Sequence, residues 1–314
     1  MQLRASFRTA RALRMRLMAD RTPLAYPFAL ANSAANLVKE AIAAQVVSLF
    51  SEGSRACPTR SRNAAAMRSE ERLFPPSAVT RRVHGDITTM MVGGISGLLL
   101  QMLHPAVLAG VWDHSSFRAD LHGRLRRTAR FIAVTTYGRK SDAEAAIARV
   151  RQIHELVCGV LPNGIPYAAS NPALLAWVHV TETTSFLNAR IRYAEPRMSD
   201  ADQDRYFDEM ARIAGALGAD PIPRSRSEAQ HLIEAMRPQL VVSARTRQVA
   251  QLVLTRPAPN RMAEPVQALG MQAAVDLLPA WARRMHGLRN PPLRVPLVRA
   301  GTLGVARTLR WALD

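Results

Sequence analysis

Helix start and stop signals punctuate the second half of this chain at spacings that suit α-helices. Asn171-Pro172 places a capping side chain directly before a first-turn proline, and Ser199 precedes an acidic first turn. Apolar residues recur at helical spacing after each start, and no segment shows the alternation of a half-buried strand. The sequence therefore predicts an all-α fold, a single multi-helical domain of about ten helices. It contains no internal repeats. Further helices are predicted at residues 225–236, 243–254 and 262–277, with breaks at Pro221, Pro238, Pro257 and Pro279.

The longest apolar run, residues 87–112, approaches the length of a membrane span. Gln101, His104 and Pro105 interrupt this run. A proline inside a helix removes a hydrogen bond and clashes with the preceding turn. We therefore predict a buried helix hairpin that breaks near Pro105, with a transmembrane helix as the weaker alternative. His104 is interpreted as a turn-capping or core histidine.

The formal net charge of +18 raises the question of an anionic partner. Clustered cations bind nucleic acid by releasing phosphate counterions, and they also attract anionic membranes. Lys39 and Lys140 are the only lysines among the 42 basic residues, and the arginines are spread along the whole chain. No basic stretch is interleaved with aromatics, and no helix-turn-helix or zinc-finger pattern occurs. We therefore expect no nucleic-acid partner. A basic helical protein that binds membrane or nucleic acid is kept as the last of three functional alternatives, after the two described below.

The two cysteines, Cys57 and Cys158, limit the metal and redox chemistry. Neither belongs to a CxxC pair, so a disulfide framework and structural zinc are disfavoured and a reducing cytoplasm is expected. Without a CxxCH segment, any haem must be held non-covalently. Cys158 is interpreted as a small buried thiol.

Residues 1–66 differ from the rest of the chain in their arginine-rich, acid-poor start. We interpret them as an N-terminal extension that is either partly flexible or the result of a mis-assigned start, with Met67 as the true first residue. The alternative is an organellar presequence. Residues 67–290 are predicted to form the main helical domain. Residues 291–314 are predicted to form a C-terminal tail or helix.

A helix that begins at Arg124 is the first of two that carry chemistry. Arg124, Arg127 and Thr128 fall at offsets of three and four residues, so two cations and a hydroxyl share one face. This helix is predicted to run to about Thr136 and to stop near Gly138.

The second helix carries Arg151 and His154, and the capping box Ser141-Asp142-Ala143-Glu144 predicts its start. His154 lies at the edge of the apolar stripe of this helix. A lone histidine in that position is most often a hydrogen-bonded core residue. With arginines nearby and apolar surroundings it also fits haem, because haem iron takes an imidazole ligand and the propionates pair with arginine.

His179 and Glu182 share one face of the helix predicted after Pro172. A His-x-x-Glu pair can contribute to a metal site. A carboxylate-bridged di-iron bundle needs repeated Glu-x-x-His units with further glutamates, and the sequence has no second copy. A di-iron centre is therefore a minor alternative.

The motifs in the middle of the chain resemble those of a known family. LQMLHPAVLAGVWDHS at residues 100–115 is followed by GRLRRT at 123–128, and later by WVH at 177–179 and LP at 278–279. In this order they resemble the catalytic domain of MpaB and of the rubber oxygenases called latex clearing proteins, long catalogued as a domain of unknown function. The resemblance extends over residues 74–288.

The resemblance implies a helical b-type haem protein with a globin-like haem-binding core. The family's Arg-x-x-Lys-Thr segment is matched by Arg124, Arg127 and Thr128, and its Arg-x-x-His segment by Arg151 and His154. His154 is then implied to be the proximal ligand of the haem iron. Arg124 and Arg151 are implied to bind the cofactor, and Arg124, Arg127 and Thr128 to take part in catalysis.

Arg127 departs from the family, which has lysine at this position. Arginine stays protonated and is a poor iron ligand, so the sixth coordination site is expected to be open or water-bound. The family's catalytic carboxylate has no match, and Asp113 and His114 are the nearest polar candidates.

The implied function is a haem b-dependent oxygenase that uses dioxygen on a lipophilic substrate, such as an isoprenoid or another unsaturated chain. A haem-binding or haem-sensing protein without turnover is the second alternative, because it would need the same ligands. We expect a cytoplasmic location and leave open a peripheral contact with a membrane.

Overall fold

The computed structural model describes residues 71–258, 260–261 and 263–313, and its secondary structure is almost entirely helical. The predicted all-α class is confirmed. The predicted N-terminal extension, residues 1–66, lies outside the described residues. The described helices are α1 (Val79–His84), α2 (Ile87–Gln101), α3 (Pro105–His114), α4 (Leu121–Tyr137), α5 (Lys140–Glu155), α6 (Pro172–Tyr193), α7 (Asp200–Leu217), α8 (Arg226–Met236), α9 (Ala244–Thr255), α10 (Glu264–Leu277), α11 (Ala280–His286) and α12 (Val295–Leu313); β1 (Cys158–Val160) and β2 (Pro166–Ala168) form a hairpin, and Arg237–Gln239 form one 3-10 turn.

Side-chain caps begin several helices where the sequence predicts them. The Asn171 carboxamide oxygen accepts hydrogen bonds from the backbone N–H of Ala173 and Leu174 at the start of α6. Ser199 caps α7 in the same way. Because a capping oxygen satisfies N–H groups that have no partner within the helix, these starts depend on local sequence alone.

The apolar run at residues 87–112 folds as two helices, α2 and α3, which meet at an angle of 106°. His104 caps α3 through its ring nitrogen Nδ1, which accepts the backbone N–H of Ala106, and Pro105 is the first residue of the helix. The predicted break at Pro105 and the capping role of His104 are both confirmed. Among the described helices, none is alone long and apolar enough to cross a membrane; α2 and α3 meet that criterion only as a bent pair.

The long helices α2 and α6 cross closely at the centre of the main hydrophobic core. Gly93 makes this approach possible, because a Cβ atom there would lie 2.9 Å from the Cα of Phe186 and from the backbone oxygen of Ser185. Atoms cannot be that close without displacement of one backbone. The crossing fixes the part of α6 that carries Glu182 and Phe186.

Two local predictions are wrong. Helix α5 begins at Lys140 rather than at the Ser141 capping box, and its N-cap residue, Arg139, makes no side-chain cap. The Lys140 backbone N–H instead donates to the carbonyl of Glu71, 2.9 Å away, so a tertiary contact determines the start. Cys158, interpreted as a buried thiol, is exposed on the β1–β2 hairpin.

Helix α12, in the segment predicted as a tail or helix, packs against the rest of the protein. Val298, Thr302 and Ala306 are buried along one side of it. Arg299 forms an ion pair with the buried carboxylate of Asp276, with Nε 2.8 Å from Oδ2. The helix is therefore held by both apolar contacts and a charged one.

Candidate active site

Helices α4 and α5 pack side by side and carry all five residues singled out by the family motifs. Asp120 caps α4, since its carboxylate accepts the backbone N–H of Gly123 at 2.7 Å. The helix thus begins one turn earlier than predicted. A short turn at Gly138 and Arg139 leads into α5, so the first turns of α4 lie beside the last turns of α5.

A small, largely apolar cavity of about 70 Å³ lies between α4, α5, α6 and α7. This volume is well below the roughly 300–1,000 Å³ of ordinary ligand pockets. Its polar lining comes from three histidines, one glutamate and one threonine. The lining residues are His84, Phe131, Ile132, Thr135, His154, Leu175, Val178, His179, Glu182, Phe186, Met210, Ile213, Ala214, Leu217 and Ala219.

His154 faces this cavity from the last turn of α5. Its Nδ1 atom is buried and has no hydrogen-bond partner among the described residues. Burial and the positive charge of Arg124 both lower the pKa of His154, so the imidazole is neutral at pH 7. A neutral imidazole with an unused nitrogen in an apolar cavity is a suitable iron ligand.

Arg124 is the second motif residue that the structure brings to this site. Its guanidinium is partly buried, and burial together with the charge of Arg127 lowers its pKa from the ordinary value, although not enough to deprotonate it. Its charge also acts on His154, which indicates that the two groups lie close together. Arg124 does not line the cavity, but a fixed cation close to His154 can bind an anionic group of a ligand.

The other three motif residues face solvent. The Arg127 side chain is 63% exposed, with its guanidinium 3.6 Å from the carboxylate of Asp120. The Thr128 hydroxyl donates to the backbone oxygen of Arg124, and Arg151 is exposed. None of the three lines the cavity, so their cofactor-binding and catalytic roles stay predictions.

Asp113, the carboxylate nearest in sequence to the family motifs, also lies outside the cavity. It is exposed and pairs with Arg245, with NH1 3.2 Å from Oδ1. It also accepts a long hydrogen bond from the Tyr167 hydroxyl. Its partners and exposure indicate a surface ion pair.

The carboxylate inside the cavity is Glu182, to which the sequence assigns no catalytic role. Burial raises the pKa of Glu182 to about 7, and none of the described residues donates a hydrogen bond to it. Its neighbour His179 has a buried Nε2 atom without a partner, and burial lowers the pKa of His179 to about 4. The shared helical face of these residues was visible in the sequence, but their enclosure was not.

Three hydrogen-bonded polar side chains, Tyr206, His84 and Thr136, lie in the interior near Glu182. The charge of Glu182 contributes to a raised pKa of Tyr206, after burial, which places the two groups near each other. The Tyr206 hydroxyl lies 2.9 Å from His84 Nε2, and His84 Nδ1 lies 2.9 Å from the Thr136 hydroxyl. Through the part of the chain that the structure covers, no cluster of three or more His, Cys, Asp or Glu residues could hold a metal ion.

The fold and the cavity define a helical protein with an apolar, histidine-bearing pocket. Comparison with known families matches residues 81–311 to the ER-bound oxygenase mpaB/B'/Rubber oxygenase, catalytic domain. The chain belongs to this family, as the sequence motifs predict. Comparisons with curated proteins and with solved structures give no match.

Proposed function

We propose that this protein is a haem b-dependent oxygenase that acts with dioxygen on a lipophilic substrate, with His154 as the iron ligand. The observation that carries the proposal is the buried, unpaired Nδ1 atom of His154 in an apolar cavity. The resemblance of the Arg151–His154 segment to the family's Arg-x-x-His motif implies that this histidine is the haem ligand. Family membership supports an oxygenase. A buried polar atom without a partner is rare in folded proteins and calls for a functional explanation.

The types of side chain present fit a haem group, but the cavity of about 70 Å³ is smaller than a haem, so the helices that line it would have to separate to admit one. His154 offers a neutral imidazole, and Arg124 offers a cation for a propionate. Bound haem would supply the redox centre for chemistry with dioxygen. The protein's own contribution is the ligand, the fixed charge and a largely apolar cavity wall.

Glu182 is suited to hold and transfer a proton in this cavity. With a pKa of about 7, it is present in both protonated and charged forms near neutral pH. A general acid or base works best when its pKa lies near the working pH. The charge of Glu182 also acts on the buried Tyr206, whose hydroxyl lies 2.9 Å from Nε2 of His84.

The cavity wall favours a lipophilic substrate. Phe131, Phe186, Met210 and Ile213 contribute apolar surface, and the positively charged Arg124 is absent from the lining. Apolar surface of this kind binds hydrocarbon by removing it from water. We propose an unsaturated or isoprenoid chain as the substrate class, by similarity to the family.

An absorbance spectrum of the purified full-length protein, combined with a pyridine haemochrome assay, tests the proposal. We expect a Soret band and haem b in the wild type and loss of both in His154→Ala. His231→Ala is the matched control, because His231 is exposed on α8, and it should retain the band. Protein that stays colourless after expression with added haem precursor would refute the proposal.

Oxygen consumption separates an oxygenase from a haem sensor. A sensor needs His154 and Arg124 but has no use for a proton-exchanging carboxylate. The cavity position of Glu182 therefore favours turnover. We expect substrate-dependent oxygen uptake by the haem-loaded protein with unsaturated lipids, at a rate that depends on Glu182.

A further inference from the structure

The β1–β2 hairpin presents its two faces differently. The strands pair antiparallel, with Val160 opposite Pro166 and Gly159 opposite Tyr167. Tyr167 is buried and packs with Ala106 and other residues in a small apolar cluster. Gly159 leaves room for it, because a Cβ atom there would lie 2.8 Å from the Tyr167 hydroxyl oxygen. The inner face is therefore anchored to α3.

The outer face of the hairpin is apolar and exposed, and it continues onto the end of α5. The exposed fractions are 49% for Ile153, 79% for Leu156, 66% for Val160 and 56% for Ile165. These four residues with Pro166 are the hairpin patch. Two-stranded surfaces that face only water usually carry polar side chains on the outer face. Clustered exposed apolar groups more often mark a binding surface.

The sequence around the hairpin patch also lacks charged residues. No Asp, Glu, Lys or Arg occurs between Glu155 and Glu182, although such residues make up 21% of the chain. Uncharged, exposed sequence of this kind lowers the cost of leaving water for a lipid phase. The hairpin is thus suited to entering an interface that charged loops would avoid.

Exposed arginines occur on α5 and on the neighbouring helix α4. Arg149 lies four residues before Ile153 and therefore on the same face of α5, and Arg151 is also exposed. The neighbouring helix α4 adds the exposed Arg127 and Arg130. The acidic residues of α5 are Asp142, Glu144 and Glu155, and Asp120, the N-cap of α4, lies beside Arg127. An apolar patch with exposed arginines on the adjoining helix matches an anionic lipid surface.

We propose that the hairpin patch docks on an anionic lipid bilayer. Val160 and Ile165 enter the headgroup region, and the arginines of α4 and α5 lie over the lipid phosphates. Ile153 and Leu156 flank His154 on α5, so docking brings the helix end that carries His154 to the membrane, where lipophilic molecules are concentrated. A second copy of this chain is a poorer occupant, because a standard dimer interface involves roughly 20–30 residues on each side.

Co-sedimentation of the full-length protein with lipid vesicles tests this surface. We expect binding to vesicles of phosphatidylcholine with phosphatidylglycerol and much weaker binding to phosphatidylcholine alone. The double variant Val160→Ser, Ile165→Ser should weaken binding about tenfold or more, because it removes two apolar side chains from the interface. The matched control Val241→Ser, Leu297→Ser changes residues that are 53% and 73% exposed elsewhere, and it should bind like the wild type.

The exposed Cys158 on β1 allows a direct measurement of insertion. A polarity-sensitive fluorophore on Cys158, in a Cys57→Ser background, should shift its emission to the blue with anionic vesicles. The same label at Leu297→Cys, with both native cysteines changed to serine, should not shift. Both measurements are made without haem or substrate, so their outcome is independent of the proposed oxygenase activity.

Three results would overturn the proposal. The hairpin double variant could bind as tightly as the wild type, or both double variants could weaken binding equally, which would indicate general attraction of a basic protein. Alternatively, analytical ultracentrifugation without lipid could show a dimer that only the hairpin variant dissociates. The patch would then be an interface between two copies of the chain.

Discussion

Asp276 and Glu182 are both carboxylic acids inside this helical protein, but their surroundings differ. Burial alone would raise the pKa of Asp276, yet hydrogen bonds from Arg299 and Asn290 outweigh it and hold the pKa below its ordinary value. Arg192 adds a further ion pair at 3.1 Å. Glu182 has no such partners in the described structure, and burial raises its pKa to about 7.

This difference in hydrogen-bond partners distinguishes a carboxylate that stabilises the fold, Asp276, from one that is suited to proton transfer, Glu182. A buried charge with several donors stays ionised and holds α6, α10 and α12 together. A buried acid without donors is costly when charged and is retained where its proton is useful. The contrast between Asp276 and Glu182 therefore favours a stability role for the first and proton transfer for the second, and each role can be tested by substitution.

Replacing Glu182 should have the largest effect on activity. Glu182→Gln preserves shape but cannot exchange a proton, and loss of a general acid or base typically costs about 10²–10⁴-fold in rate. We expect that loss in oxygen uptake by the haem-loaded protein, with an unchanged Soret band. The wild-type rate should titrate near pH 7, and the residual rate of the variant should not. Equal activity of the two proteins would remove Glu182 from the mechanism.

Replacing Asp276 should have the largest effect on stability. Asp276→Ala removes the partner shared by Arg192, Arg299 and Asn290, and we expect a loss of about 3 kcal/mol in the free energy of unfolding. Urea denaturation of the full-length protein measures it. Asp208→Ala is the control, because Asp208 and its partner Arg224 are both more than half exposed, and it should cost under about 1 kcal/mol.

The pH dependence of stability should reveal the raised pKa of Glu182. Between its ordinary value of 4.5 and about 7, the folded protein keeps this proton while the unfolded chain has released it. Folding then takes up a proton, so Glu182 makes the protein less stable as the pH rises through this range. The stability of Glu182→Gln relative to the wild type should increase from pH 4.5 to 7 and then level off. A constant difference would mean that the pKa of Glu182 is not raised.

Two histidines that line the cavity differ in the same way, because one has hydrogen-bond partners and the other has none at its buried nitrogen in the described part of the chain. His84 is hydrogen-bonded through both ring nitrogens, whereas the buried His179 Nε2 atom has no partner within the described residues. His84→Leu should cost about 2 kcal/mol, because it leaves Tyr206 and Thr136 without their partner. His179→Leu should cost less than about 1 kcal/mol, since no hydrogen bond is lost. Thermal unfolding compares them, and equal losses would contradict the distinction.

Local signals in the sequence predicted the helices well, and tertiary contacts account for what was missed. Asn171 and Ser199 cap the helices that directly follow them, so their neighbours were enough. The start of α5 was missed because the partner of Lys140 is the backbone oxygen of Glu71, far away in sequence.

For the site, the motifs predicted that Arg124 and His154 lie near each other, and the pKa of His154 agrees with this. Glu182 was visible only as a member of a His-x-x-Glu pair. Its raised pKa arises from enclosure by helices that are distant in sequence, among them α2, which approaches it at Gly97. Enclosure of this kind depends on how helices pack, and no local pattern encodes it.

Substitution of Arg127 should have the smallest effect, because this side chain faces solvent, unlike Asp276 and Glu182. Its guanidinium is mostly exposed beside Asp120, and exposed pairs contribute under about 1 kcal/mol. We expect Arg127→Lys to leave both the unfolding free energy and the ferric haem spectrum unchanged. A shift to a six-coordinate low-spin spectrum would show that residue 127 reaches the iron in the haem-loaded protein. Because lysine can ligate iron and arginine cannot, that result would place residue 127 at the iron, as the family motif implies.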